Sequence, residues 1–357
     1  MNRYAIDKSK LTENIKIIKQ TAGVPVIAVL KGDAYGFDLK QTAQLMYEQG
    51  IRCFAVSEIS DLIALRGILP EAEILVLRST CIPEEAEEIV RCHGIATVGS
   101  LLSAEIMDDA SRRLGAVTKC HIKIDTGLGR YGFLPAQTAD AVKCFALQNI
   151  EIVGAYTHFS SAFGNRKRTE KQLALFKDAV QNMEENGVHI PLLHAANSSA
   201  LMRFGNLGLD RVRIGSAFGG RVAAPHSVKL NRVGILMSEV TEVKTLEKGS
   251  AVGYGGTFKT KRRTKIAVIP IGHYDGFGLT NESESYTPRT VLSMVKKLLL
   301  RKHLYVTIHE KQYRVIGKIG LSHTVVDVTD SDVKAGDIVS VDLSPLMLNP
   351  QVPKIYI

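Results

Sequence analysis

The chain has 357 residues, 45% hydrophobic and 23% charged, with a formal net charge of +9. That is ample for a packed core and long for one simple domain, so two domains are expected. The opening Met1-Asn2-Arg3-Tyr4-Ala5-Ile6-Asp7 lacks a leader's apolar core, and no apolar run reaches the roughly 18 residues of a membrane span, which points to a soluble, cytoplasmic chain without membrane association.

The charge is local. Residues 256–318 hold 13 Lys/Arg against 4 Asp/Glu, which accounts for the whole excess. No nucleic-acid motif or row of stacking aromatics accompanies it, so no nucleic-acid partner is expected. The five cysteines, Cys53, Cys81, Cys92, Cys120 and Cys144, have no C-x-x-C spacing and read as thiols of a reducing compartment. No His/Cys cluster has zinc spacing and no loop has calcium-site density, so no metal is expected.

The first strong element is the apolar run Pro25-Val26-Ile27-Ala28-Val29-Leu30, closed by Lys31 before Gly32-Asp33-Ala34-Tyr35-Gly36. Strands buried on both faces read as continuous β-branched runs, and lysine rarely ends one without a reason. A barrel enzyme would place a Schiff-base lysine there; a snorkelling strand-end lysine is the plainer reading.

Seven more such runs follow, over 53–57, 73–79, 95–100, 118–125, 152–159, 192–197 and 211–216. Segments of helical period lie between most of them: 39–49, 58–66, 83–91, 136–147 and 168–186. Eight such units make an α/β fold, an N-terminal (β/α)₈ TIM-like barrel over 1–225, whose site lies at the C-terminal ends of the strands. An open doubly wound sheet would want a G-x-G-x-x-G turn after an early strand, and 32–36 lacks it.

From 226 to 357 the pattern becomes strands and tight turns, a β-rich C-terminal domain with expected strands at 234–246, 264–271, 304–308, 313–319 and 324–328. Within it, 289–303 reads as a basic amphipathic helix, a docked surface element with solvated lysines, the alternative being docking to an acidic partner or an anionic membrane surface.

On the barrel reading, strand ends gather Lys31 and Tyr35; Lys123, Asp125 and Arg130; His158; His194, Asn197 and Ser198; and Arg213, Gly215 and Ser216. Barrels bind phosphate with the loops after strands seven and eight, where Asn197-Ser198 and Gly215-Ser216 lie. An amine facing a phosphate site suggests pyridoxal phosphate. Each residue also has an ordinary reading: Asn197 as a helix cap, Arg213 paired with Asp210, His158 as a structural histidine.

Val29-Leu30-Lys31-Gly32-Asp33-Ala34-Tyr35-Gly36, Lys123-Ile124-Asp125-Thr126-Gly127-Leu128-Gly129-Arg130, Thr157-His158-Phe159, Ala196-Asn197-Ser198, Arg213-Ile214-Gly215, Gly253-Tyr254-Gly255, Pro270-Ile271-Gly272 and Asp275-Gly276 together resemble the alanine racemase family, nearly end to end. The resemblance implies pyridoxal 5'-phosphate as cofactor, Lys31 as imine-forming lysine and one acid/base, and Tyr254, supplied by the second subunit of a head-to-tail homodimer with shared active sites, as the other. Two are needed because racemisation removes the Cα proton on one face and returns one on the other. It further implies Arg213 opposite the pyridine nitrogen, His158 positioning Arg213 and the ring, and Tyr35, Asn197, Ser198, Gly215 and Ser216 at the cofactor. Arg130 and Leu321 fall at substrate-contact positions, and Lys123 at that of a carbamylated lysine.

The chain departs from the family pattern at Gly320-Leu321-Ser322, at His273 followed by Tyr274, at Pro350, and in the inserted basic segment 289–303. The lost bulk leaves the substrate open among small amino acids: alanine first, then serine, as in serine racemases fused to a membrane domain, or a larger amino acid. A decarboxylase on the same barrel and a cofactor-binding regulator without turnover are the competing readings.

Overall fold

The computed structural model describes residues 1–280, 291, 292, 295 and 303–357. The expected basic helix at 289–303 therefore lies outside the described residues, apart from Val291, Leu292, Val295 and His303. Two compact units result, one of Lys8–Val233 and one of Met1–Asp7 with Gly234–Ile357. The sequence places the division at 225 and gives the first residues to the barrel. They instead join the second unit, because strand Arg3–Ile6 pairs antiparallel with Gly234–Glu239 and parallel with Lys354–Tyr356.

In the Lys8–Val233 unit, eight strands adjoin in the order Leu193–His194, Ile150–Tyr156, Thr118–Lys123, Ile95–Val98, Glu73–Ser79, Cys53–Val56, Val26–Val29 and Val212–Ile214. All neighbours are parallel. A parallel bridge from His194 to Arg211 links the two ends, so the sheet nearly closes into a barrel. Seven of the eight apolar runs contain one of these strands whole, and the run 152–159 overlaps its strand, which starts earlier, at Ile150. Val26–Val29 and Cys53–Val56 are buried at every position, which is why they carry no alternation.

Helices cover the outside by the usual stripe. Arg166–Glu185 buries Thr169, Gln172, Phe176, Ala179, Val180 and Met183 at three- and four-residue steps, and Asn165 caps it by accepting from the Arg168 N–H at 3.0 Å. Burying a side chain such as Phe176 contributes about 1.5–3 kcal/mol. The expected helix 136–147 is shorter, Thr138–Lys143, flanked by 3₁₀ turns at Pro135–Gln137 and Cys144–Ala146. Leu101–Arg113 opens on a Ser100/Ser103 capping box.

The β-rich unit has a six-stranded sheet in the order Lys311–Arg314, Tyr305–Ile308, Ile338–Val341, Gly234–Glu239, Arg3–Ile6 and Lys354–Tyr356. A three-stranded sheet joins Glu242–Leu246, Thr264–Ile269 and Thr324–Asp327. The expected strand 234–246 thus splits between two sheets, and 313–319 keeps only Lys311–Arg314 and a bridge from Val315 to Val326. Gly234 is needed where the Tyr4 ring crosses it, since a Cβ there would overlap the phenol.

Among the described residues, no helix is long and apolar enough to cross a membrane.

Candidate active site

Lys31 follows the first barrel strand, and the loop after it is a left-handed turn. Gly32, Asp33, Ala34 and Tyr35 have φ of 61°, 55°, 54° and 59°, and Gly36 has 86°. For L-residues this costs about 1–2 kcal/mol each, so a run of three needs compensation. The Ala34 N–H donates to the Leu30 carbonyl at 2.9 Å and the Leu39 N–H to Asp33 Oδ1 at 2.8 Å. The turn brings Tyr35 against Gly215, where a Cβ would overlap the phenol.

One cavity of about 370 Å³ opens at the C-terminal ends of the strands. Lys31, Tyr35, Arg130, His158, Asn197, Ser198, Arg213, Gly215 and Ser216 all line it, with Lys123 and Arg78 beside them. Five basic side chains therefore face one space against one carboxylate, Glu58, a balance that favours a ligand bringing negative charge. Burial, then the Arg130 guanidinium, lowers the Lys31 pKa. Burial, with Arg130 and Arg213, brings Lys123 down to about 7. Its ammonium nitrogen lies 5.3 Å from the centroids of both Tyr131 and Tyr156. Asp125 does not neutralise it closely: that carboxylate accepts the backbone N–H groups of Gly127, Leu128, Gly129 and Arg130, at 2.8–3.2 Å, and organises its own loop.

Arg213 is only 3% exposed. Its Nη1 donates to His194 Nδ1 at 2.7 Å and to the His194 carbonyl at 3.1 Å. Its Nη2 donates to the Thr157 carbonyl at 2.7 Å, and reaches His158 Nδ1 only at 3.4 Å. Asp210 is not its partner; that carboxylate accepts from the Leu193 N–H. Burial foremost, then the surrounding cations, takes His158 down to about 3, so its ring is neutral at neutral pH.

The opposite wall is a donor cradle. Burial raises Tyr35 to about 12, which keeps its phenol protonated and able to donate. Ser198 Oγ accepts from the Gly215 N–H at 3.2 Å, linking the loops after strands seven and eight. Asn197 is both cap and wall: its Oδ1 accepts from the Ala200 N–H at 3.0 Å and the residue lines the cavity.

The family description "Alanine racemase, N-terminal domain" matches residues 6–221, and "Alanine racemase, C-terminal domain" matches residues 233–344. The chain belongs to the alanine racemase family. The alanine racemase of Clostridium perfringens is 33% identical over 341 residues, covering 93% of this chain and 83% of that one. That of Methanococcus maripaludis is 32% identical over 346 residues, covering 94% and 87%. The solved alanine racemase of Clostridium difficile superimposes with a TM-score of 0.85 at 26% identity, covering 100% of this chain and 95% of that one. A histidine racemase from Leuconostoc mesenteroides shares the fold alone, with a TM-score of 0.82 at 21% identity, covering 100% and 98%. The chain is thus an amino-acid racemase, an isomerase.

Two family positions, Tyr254 and Leu321, lie in the β-rich unit, their side chains 74% and 68% exposed. Tyr254 opens a 3₁₀ turn between Gly253 and Gly255, whose φ of 75° and 71° suit glycine. Gly320 and Leu321 accept from the His273 and Tyr274 N–H groups, so two departures from the family pattern adjoin one another. Near the third, Pro350, the Tyr274 phenol donates to Gln351 at 2.6 Å.

Sequence reasoning passed over Tyr156, Tyr131, Arg78 and His121. Side chains alternate along a strand, so Lys123 facing inward implies His121 inward, and His158 implies Tyr156. That parity was the available signal. Nothing comparable marks Arg78, which Glu85 holds at 2.9 Å at the cavity wall.

Proposed function

We propose that the chain racemises a small amino acid, alanine first and serine next, with pyridoxal 5'-phosphate held in the barrel cavity. What supports this most is the cavity itself: a lysine of lowered pKa, a buried arginine and a hydroxyl cradle converge on one space of about 370 Å³. The residues fit the cofactor. Tyr35 and Ser198, with the Gly215-Ser216 turn, offer donors to a phosphate; Lys31 offers an amine; Arg213 stands as a fixed cation.

When bound, the cofactor supplies a conjugated ring that makes the substrate's Cα proton removable. Lys31 moves that proton on one face, and its lowered pKa favours the neutral amine that a base must be. Tyr254 moves it on the other face, and its exposure supports delivery to a second copy in a homodimer with shared sites. Arg213, gripped by His194 and Thr157, keeps positive charge at one fixed point. Arg130 offers its guanidinium to the substrate carboxylate, with Leu321 as an apolar contact. A Lys123 amine with a pKa of about 7 is partly neutral, the form that takes up carbon dioxide as a carbamate beside Arg130.

The test is an absorbance spectrum of purified protein followed by racemisation of alanine, serine, lysine and ornithine. Lys31→Ala should lose the bound cofactor's absorbance, while Tyr254→Phe should keep it and lose turnover by about 100-fold or more. Full activity in either variant would remove that residue's role, and turnover of alanine alone would remove serine.

A further inference from the structure

Below the cavity, three buried groups form a hydrogen-bonded line. His121, 3% exposed on strand Thr118–Lys123, has its Nδ1 2.8 Å from His194 Nε2. His194 Nδ1 is 2.7 Å from Arg213 Nη1. A guanidinium only donates, so His194 Nδ1 must accept and be unprotonated. In a neutral ring the hydrogen then sits on Nε2, points at His121 and requires an acceptor there. His121 Nδ1 is that acceptor, leaving its own hydrogen on Nε2.

Neutrality of both rings is consistent with their surroundings. Burial foremost, with Arg213 and Arg211 nearby, carries His194 well below the usual histidine range. Burial and Arg211, against the opposing pull of Glu73, bring His121 to about 3. Tyr156 stacks on His194 with ring centroids 4.9 Å apart and planes at 14°, and Gly154 leaves room for His121, since a Cβ would come within 3.0 Å of its Nε2.

We propose that His121 is a positioning residue: by accepting from His194 Nε2 it fixes the one tautomer of His194 that can receive Arg213, and thereby fixes where the Arg213 cation stands. The other tautomer would set two donors head to head between His194 and Arg213. The catalytic consequence rests on the proposed role of Arg213; the tautomer does not.

The experiment is ¹⁵N NMR of histidine-labelled protein, wild type, His121→Gln and His121→Leu, with kcat and KM measured on the same cofactor-loaded samples. The wild type should show His194 neutral with hydrogen on Nε2. Gln keeps an acceptor and should hold both that signal and most of kcat. Leu removes the acceptor and should move the His194 signals and lower kcat on the order of 10- to 100-fold, with KM changed much less. A His194 carrying hydrogen on Nδ1, or cationic, would overturn the proposal, as would a folded His121→Leu with unchanged kcat. If the Leu variant does not fold, the wild-type and Gln spectra decide. A protein without racemase turnover would still have to show the tautomer, so failure of the enzymatic reading and failure of the tautomer lock give different results.

Discussion

Lys123 shows how one side chain's surroundings become a pH dependence. Its folded pKa of about 7 lies below the ordinary lysine value of 10.5, so between those limits the unfolded chain binds more protons than the folded one. Stability rises with pH wherever that holds. The burden of a buried ammonium is fully present below about pH 7 and is relieved as pH rises toward 10.5. Lys123→Met should flatten this part of the curve, read as denaturation midpoint against pH. An unchanged slope would mean that the amine is already modified or solvated. The type and place of Lys123 were legible as a strand-end residue; its depressed basicity was not, because it arises first from burial in the folded barrel and then from Arg130 and Arg213, which only the fold brings beside it.

At the scale of elements, the left-handed turn isolates backbone cost from packing. Gly32 has φ 61° and nothing within 4 Å of where a Cβ would be, so Gly32→Ala adds backbone strain alone. It should destabilise by about 1–2 kcal/mol. Gly67, in helix Ile59–Ile68 with equally open space and no positive φ, is the control; Gly67→Ala should stabilise by about 0.5–1 kcal/mol. Urea unfolding of both variants checks the contrast, and equal shifts would refute it. The barrel strands could be read from sequence because burial on both faces writes them as unbroken apolar runs. The turn could not: Asp33-Ala34-Tyr35 carries no left-handed signature beyond its flanking glycines. The β-rich strands were read less well, being short and partly polar, with pairings such as Tyr4 to Leu236 that no local pattern reveals.

At the scale of the whole molecule, the proposed sharing of sites predicts complementation. Neither Lys31→Ala nor Tyr254→Phe should turn over alone. In a dimer of one of each, one site joins an intact Lys31 to an intact Tyr254. After subunit exchange, an equal mixture should regain about a quarter of wild-type activity, since half the dimers are mixed and each has one working site. No recovery would mean that both residues act within one copy.

The pairing of Arg3–Ile6 between Gly234–Glu239 and Lys354–Tyr356 also sets an order of events. The barrel unit, Lys8–Val233, is one unbroken stretch whose eight strands form a sheet of their own. Strand Arg3–Ile6 has no neighbour until Gly234–Glu239 has left the ribosome, and its second neighbour, Lys354–Tyr356, follows later still. Closing so long a loop costs little more than closing a short one, because the entropy grows only with the logarithm of length. What the arrangement imposes is waiting: Arg3–Ile6 has no strand to pair with while the whole of Lys8–Val233 is being made, and its second neighbour follows only after the other strands of its sheet.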